Sequence, residues 1–275
     1  MARPPDIDDR IRAAAEAVRT ADALLVGAGA GMGVDSGLPD FRGPEGFWKA
    51  YPAFRGRQFA EMSNPEWFRR DPAVAWGFFG HRLNLYTRTE PHPGFALLKT
   101  WMESRPAGGF VFTSNVDGQF QKAGFPEDRV LECHGSIRFL QCVRLCREDV
   151  WPADGVRVEV DEAAVRAVGD LPHCPNCGGL ARPNILMFGD WEWIGRRTDA
   201  QRRRYREWLA GVRGLRVAGV ELGAGLAIPT VRDECGSRAD VLVRINPREP
   251  DTPPGGIALP LGALDALRAI AERLG

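Results

Sequence analysis

An apolar run, Ala23 to Val26, leads directly into a glycine-rich turn, Gly29-Ala30-Gly31-Met32-Gly33, and this junction constrains the fold more than any other stretch. Consecutive apolar residues without polar alternation describe a strand covered on both faces, and such strands belong to parallel sheets. Glycines at the carboxyl end of a strand leave backbone N–H groups bare, so a pyrophosphate can approach them closely. The glycines alone fit a plain strand-to-helix turn equally well, and their spacing over 27–33 is not the usual Gly-x-Gly-x-x-Gly. What sets the segment apart is Pro39-Asp40-Phe41-Arg42, a polar-aromatic cluster where a simple dinucleotide unit would continue its helix.

Similar unalternated runs at 110–115, 129–133, 184–188, 215–222, 240–246 and 256–261 predict further buried strands. Together they indicate an α/β fold, a Rossmann-like parallel sheet with helices on both faces. Asp6 or Asp8 is placed to cap a first helix, and Leu264 to Leu274 has the spacing of a closing one. Two segments break the rhythm. Residues 44–90, rich in Trp and Phe, read as short helices and loops over a cleft; residues 137–181 hold four of the six cysteines and little sheet pattern. The expected organisation is a larger domain from 1–43, 91–136 and 182–275, with 44–90 and 137–181 forming a smaller helical and zinc-binding domain. A chain of 275 residues is long enough for both.

Formal net charge is zero and no basic block stands out, so a nucleic-acid partner receives no electrostatic support. Apolar runs fall short of the roughly 18 residues of a membrane span, and Met1 to Ala15 carries acids and lacks an apolar core, unlike a signal peptide. The expected location is the cytoplasm.

Cys142 and Cys146 form one close pair, Cys174 and Cys177 another. Pairs at this spacing turn both sulfurs inward, as tetrahedral thiolate coordination of Zn²⁺ requires. Disulfides are disfavoured in a reducing compartment. Four thiolates leave no open coordination position, so such a zinc is structural.

Thr113-Ser114-Asn115-Val116-Asp117 follows one predicted strand, and His134-Gly135 ends the next. Ligands of open α/β sheets bind at such carboxyl ends. Asn115 and Asp117 also suit helix capping, and a lone histidine is more often structural than a base.

In order along the chain, these motifs resemble the sirtuins, NAD-dependent protein deacylases. Residues 29–42 are similar to the family's Gly-Ala-Gly-Ile-Ser…Ser-Gly-Ile-Pro-Asp-Phe-Arg, 113–117 to its Thr-Gln-Asn-Ile-Asp, and 134–135 to its His-Gly. Arg182-Pro183 through Phe188-Gly189-Asp190 resembles Arg-Pro-x-Val-Val-x-Phe-Gly-Glu, Gly223-Ala224-Gly225 stands at Gly-Thr-Ser, and Ile245-Asn246 at Ile-Asn. The resemblance implies that Gly29, Ala30 and Gly31 hold the NAD pyrophosphate. Ser36, Leu38, Asn115, Val116 and Asp117 would line a nicotinamide pocket, with Asp117 accepting from the carboxamide. Phe41 would shield the ribose, while Asp40 and Arg42 order the loop. Ser114, Gly223 and Ala224 would lie near ribose and phosphates, and Asn246 with Gly262 and Ala263 at the adenosine end.

His134 is the implied base, with Asn115 and Asp117 as catalytic partners. Phe188, Gly189 and Asp190 would pair with an acylated-lysine peptide, and Arg82 would face its acyl group. Releasing nicotinamide and O-acyl-ADP-ribose is the implied reaction, deacetylation the favoured form. The alternatives are an NAD glycohydrolase or ADP-ribosyltransferase on this fold, or a non-catalytic NAD-binding interaction protein. Ser114, Gly33, Ala224-Gly225 and Asp190 depart from the family's Gln, Ser, Thr-Ser and Glu. The first three departures remove hydrogen bonds of about 1 kcal/mol each. Arg82 lacks the tyrosine that acid-selecting members carry, because Phe79 stands there.

Overall fold

The computed structural model describes residues 6–40 and 43–275. Helix α1 (Ile7–Thr20) is capped by Asp6, whose carboxylate accepts from the Ile7 N–H at 2.6 Å, so Asp6 and not Asp8 starts it. Strand β1 (Ala23–Ala28) follows, buried at every position as its unalternated sequence demands. A 3-10 helix (Ala30–Ser36) ends in Gly37, which at φ 83° takes the left-handed conformation open to glycine. Then come four helices, α2 (Gly43–Ala50), α3 (Phe59–Met62), α4 (Trp67–Arg70) and the long α5 (Pro72–Arg88), before α6 (Gly94–Glu103).

Strand β2 (Gly109–Thr113), helix α7 (Gln119–Lys122) and strand β3 (Val130–Glu132) extend the sheet. A smaller unit follows with β4 (Gly135–Cys142), β5 (Trp151–Pro152), β6 (Glu159–Asp161), β7 (Arg166–Val168) and β8 (Ala181–Ile185). The chain then returns through α8 (Arg196–Gly211), β9 (Val217–Leu222), α9 (Thr230–Arg238), β10 (Val241–Ile245), β11 (Ile257–Leu259) and α10 (Ala263–Leu274).

The main sheet has the order β11-β10-β9-β1-β2-β3, and every neighbouring pair is parallel. Helices α1, α6 and α10 pack on one face through Ile11, Leu98 and Ile270, and α8 and α9 cover the other through Tyr205, Trp208 and Val231. From β1 the chain builds outward to β2 and β3 on one side and later to β9, β10 and β11 on the other. The order therefore reverses between β1 and β9, and that crevice is where open α/β sheets take ligands.

Two expectations are corrected. The run at 184–188 is not a strand of the main sheet: β8 ends at Ile185 and pairs antiparallel with β4 in a three-stranded sheet, β5-β4-β8. It reads as a covered parallel strand because both its faces are buried there too. Residues 137–181 do contain sheet, hidden by strands of two or three residues and by buried polar side chains such as Gln141. The helical half of this smaller unit is held by an aromatic cluster, Phe47, Tyr51, Phe54, Phe68, Trp76, Phe78 and Phe79.

Candidate active site at the reversal of the sheet

The loops after β1 and β9 meet backbone to backbone. A Cβ on Gly31 would lie 2.6 Å from the Gly223 Cα, and one on Gly29 2.7 Å from the Ala224 Cα. Gly223 itself has φ 59°, so it is glycine for both conformation and space. The contact is fixed by hydrogen bonds: Gly29 N–H donates to the Leu222 carbonyl at 2.9 Å, and Gly31 N–H to the Gly223 carbonyl at 3.1 Å. Two of the amides that the glycine pattern offers to a phosphate are thus spent within the protein.

Buried side chains brace the second loop from below. Arg232 on α9 donates to the carbonyls of Ala224 (3.2 Å), Glu249 (3.0 Å) and Asp251 (3.1 Å). Asn246 donates to the Ala224 carbonyl at 2.9 Å and accepts from the Arg248 and Glu249 N–H groups. These contacts stand where the sequence lacks a Thr-Ser pair. They reach the loop through its carbonyls, so Ala224 needs no hydroxyl to be held.

Above this seam lies a cleft of about 820 Å³ lined by Gly29, Ala30, Leu38, Asp40, Ser114, Asn115, Val116, Asp117, His134, Gly223 and Ala224. Its other wall comes from the smaller unit, with Phe59, Ser63, Arg82, Tyr86 and Phe188. Asn115 donates to the Gly29 carbonyl at 3.0 Å, tying the β2 loop to the glycine turn. Asp117 accepts from the Gln119 N–H at 2.9 Å. Desolvation pushes its carboxyl up to about 6; the Gln119 N–H opposes this, and the negative charge of Glu132 adds to it.

His134 follows β3, and Gly135 at φ 76° turns the chain away with room for no Cβ, since one would lie 2.2 Å from the Asn184 carbonyl oxygen. Burial lowers the His134 pKa, and a hydrogen bond with the Ser114 backbone opposes that. The imidazole is therefore neutral at physiological pH, able to take up a proton.

Not every expected residue lines this cleft. Ser36 accepts from the His92 N–H at 2.9 Å and belongs to a support instead. His92, 5% exposed, bonds the Met32 carbonyl through Nε2 and accepts from Gly94 N–H at Nδ1, the neutral tautomer that burial favours. Gly31, Gly262 and Ala263 line a smaller adjoining hollow of about 70 Å³ with Asp35, Asp40 and Arg248. Asn246 sits beneath the loops. Phe41 and Arg42 lie outside the described residues.

On the substrate side, Asp190 is wholly buried in a bidentate pair with Arg182 at 2.7 and 2.9 Å. Its carboxylate also accepts from the Met187 and Glu192 N–H groups, so it shapes the 186–190 loop and does not reach into the cleft. Gly189, at φ 68°, makes the turn of that loop. Arg82 is 5% exposed, lies over the rings of Phe59, Phe78, Phe79 and Tyr86, and donates from Nε to the Tyr86 hydroxyl at 3.1 Å.

Sequence reasoning missed His92, Tyr86, Arg232 and Glu249. Tyr86 carried a signal, since it lies one helical turn beyond Arg82; the others act through backbone groups that sequence does not display.

The four cysteine sulfurs gather at the far end of the small sheet, all within 4.8 Å of one another. The Cys142–Cys177 and Cys146–Cys174 separations are 3.6 and 3.5 Å. Those distances are far too long for a disulfide near 2.05 Å and suit ligands each about 2.3 Å from a shared zinc. N–H groups of Gly179 and Asn176 point at Cys177 and Cys146, as expected around thiolates. Among the described residues, no helix is long and apolar enough to cross a membrane.

The Sir2 family pattern matches residues 29–200. An NAD-dependent protein deacylase of Thermococcus kodakarensis is 35% identical over 178 residues, 64% of this chain and 63% of that protein. One of Aquifex aeolicus is 29% identical over 224 residues, 80% of this chain and 82% of the relative. An NAD-dependent protein deacetylase of Saccharolobus solfataricus is 33% identical over 176 residues, 64% of each chain. The alignment thus spans just under two thirds of two of these three relatives. The crystal structure of a Sir2 homologue–NAD complex superposes with a TM-score of 0.68 at 21% identity, covering 95% of this chain and 94% of that one, a likeness of fold. With the pattern matched over more than half of its length, on this sheet and around this cleft, the chain belongs to the Sir2 family.

Proposed function

We propose that the protein is an NAD-dependent protein-lysine deacylase, acting chiefly as a deacetylase. The observation that carries this reading is the convergence of His134, Asn115 and Asp117 on one cleft at the reversal of the sheet. Bound NAD supplies the cleavable nicotinamide–ribose bond. Asn115, Val116, Asp117 and Leu38 hold the nicotinamide end, with the Asp117 carboxylate accepting from an amide N–H. Ala30 and the Gly223–Ala224 turn hold the phosphates, while Asp40, Gly262 and Ala263 belong to the adenosine side. Neutral His134 takes up a proton from a sugar hydroxyl, and the aromatic wall excludes water from the reacting centre.

The acyl-lysine enters against Phe188 and Gly189, with Arg82 at the acyl end. Caged by aromatic faces and bonded to Tyr86, Arg82 does not depend on an acidic acyl group for compensation, which supports acetyl as a substrate. The four cysteines hold a structural zinc. The larger domain is drawn from 1–43, 91–136 and 182–275 and the smaller from 44–90 and 137–181, although β4 and β8 of the small sheet begin at Gly135 and run to Ile185 across those bounds; a reduced thiolate cluster suits the cytoplasm.

One observation favours a second reading, NAD glycohydrolase or ADP-ribosyltransferase. The N–H groups of Leu186, Met187 and Phe188 are all committed, to His134, Asp190 and Ser63, so strand addition there has few donors left. Incubation with NAD, with and without an acetyl-lysine peptide, decides between them. Peptide-dependent nicotinamide release with an acylated ADP-ribose product supports deacylation; release that ignores the peptide overturns it.

A further inference from the structure

The zero net charge of the chain conceals an uneven distribution. Residues 200–216, most of α8 and the turn before β9, hold six arginines against one acid, Glu207, a net charge of +5. Helical period decides where they lie. Thr198, Gln201, Tyr205 and Trp208 are the buried side of α8. At about 100° per residue, Arg202 and Arg206 fall along one outer edge of α8 with Arg203 beside them, and Arg213 follows in the turn after Gly211. From Arg202 to the end of the helix at Gly211 the edge runs for about 14 Å, nine rises at 1.5 Å each. Arg203, Arg206 and Arg213 are exposed and Arg202 is partly so.

The acids of the elements packed against α8 are occupied elsewhere. Glu127 pairs with Arg197, Asp128 sits by Arg129, and Glu234 pairs with Arg238 and accepts from Tyr205. Among the described residues, no carboxylate forms an ion pair with Arg202, Arg203, Arg206 or Arg213. Their mutual repulsion is relieved by a regular polyanion. The edge offers nothing else to recognise: Tyr205 and Trp208 are buried, so there is no platform for stacking single-stranded bases. Leu215 is the one exposed large apolar side chain of the segment, too little for insertion into a bilayer.

We propose that this arginine edge of α8 docks on the phosphate backbone of a double-stranded nucleic acid, without reading its bases. The test is fluorescence anisotropy of the full chain with a labelled mixed-sequence duplex of about 24 base pairs, a site length of a few helical turns. Binding is expected at low salt and should weaken on the order of a hundredfold between 50 and 200 mM, as four neutralised phosphates require. The triple variant Arg202→Glu, Arg206→Glu, Arg213→Glu should lose at least tenfold in affinity. A control reversal on α1 and α10 (Arg12→Glu, Arg19→Glu, Arg268→Glu) should retain it. If the reversed edge unfolds, as circular dichroism reads, the Gln triple replaces it with the same sign of effect. Absence of duplex binding at 50 mM salt, equal losses in both triples, or a single strand bound tenfold more tightly than the duplex overturns the proposal. Displacement of the duplex by polyglutamate at equal charge assigns the edge to an acidic protein and overturns it too.

Discussion

The two walls of the cleft are built on different principles. On the sheet side, apolar strands and helices bury a continuous core, and the loops that emerge from it touch through glycine backbone. On the other side, a three-stranded sheet and short helices rely on an aromatic cluster and four convergent sulfurs. The first wall is stable because many residues each contribute a little burial. The second concentrates its stability in a few groups, so single substitutions there should be far more damaging.

The largest test of that contrast is Cys174→Ser. Loss of one ligand should release the metal and unfold the smaller unit, because binding and folding are coupled at such sites. Amides of β1 and β9 should stay protected from hydrogen exchange while those of β4 and β8 do not. Zinc analysis and exchange read both parts, and a variant that keeps its fold without metal removes the asymmetry.

His134→Ala sits on the seam and should leave both walls standing. Turnover should fall by roughly 10²–10⁴-fold, the usual range for a positioned base, with little change in melting temperature or NAD affinity.

Asp117 gives an effect of intermediate size and of opposite sign in two assays. Its carboxyl titrates near 6 in the folded protein, above its ordinary 3.8. A raised native pKa adds stability below the unfolded value, and that stability is lost as pH rises through about 6. Asp117→Asn should therefore stabilise the protein at pH 7, on the order of 2 kcal/mol allowing for partial exposure. On the proposed reading the ionised form is the one that accepts from nicotinamide, so wild-type activity should decline below pH 6, about tenfold per unit. A pH–rate profile of wild type and melts of the variant check both.

The smallest effect concerns Arg82. Its aromatic cage predicts a preference for acetyl- over succinyl-lysine, and Arg82→Met should change the ratio of kcat/KM by less than tenfold, about 1.4 kcal/mol. A succinyl preference of tenfold or more in the wild type would place the guanidinium at the acyl carboxylate.

The larger wall was the more legible in sequence. Its strands are unbroken apolar runs, and the residues at their carboxyl ends, Gly29, Asn115 and His134, fall together because parallel sheets bring those ends together. The smaller wall was obscure because its strands are short and its interior polar, as at Gln141, which bonds the Asn184 amide. Ser36 and Asn246, expected at the cofactor, also hold neighbouring loops in shape, a support that the sequence does not display. A zero total also conceals the arginines of α8, since a sum over the chain says nothing of where charges lie.

The crossing of Gly31 over Gly223 has a mechanical consequence. At that point the chain has no side chain to compress, rotate or repack, so the turns after β1 and β9 travel as a single part. One jaw of the cleft is thereby fixed to the frame. Any opening or closing about a bound molecule has to be made by the opposite jaw, the stretch around Phe59, Ser63 and Phe188, whose Phe188–Ser63 hydrogen bond already latches its two halves together.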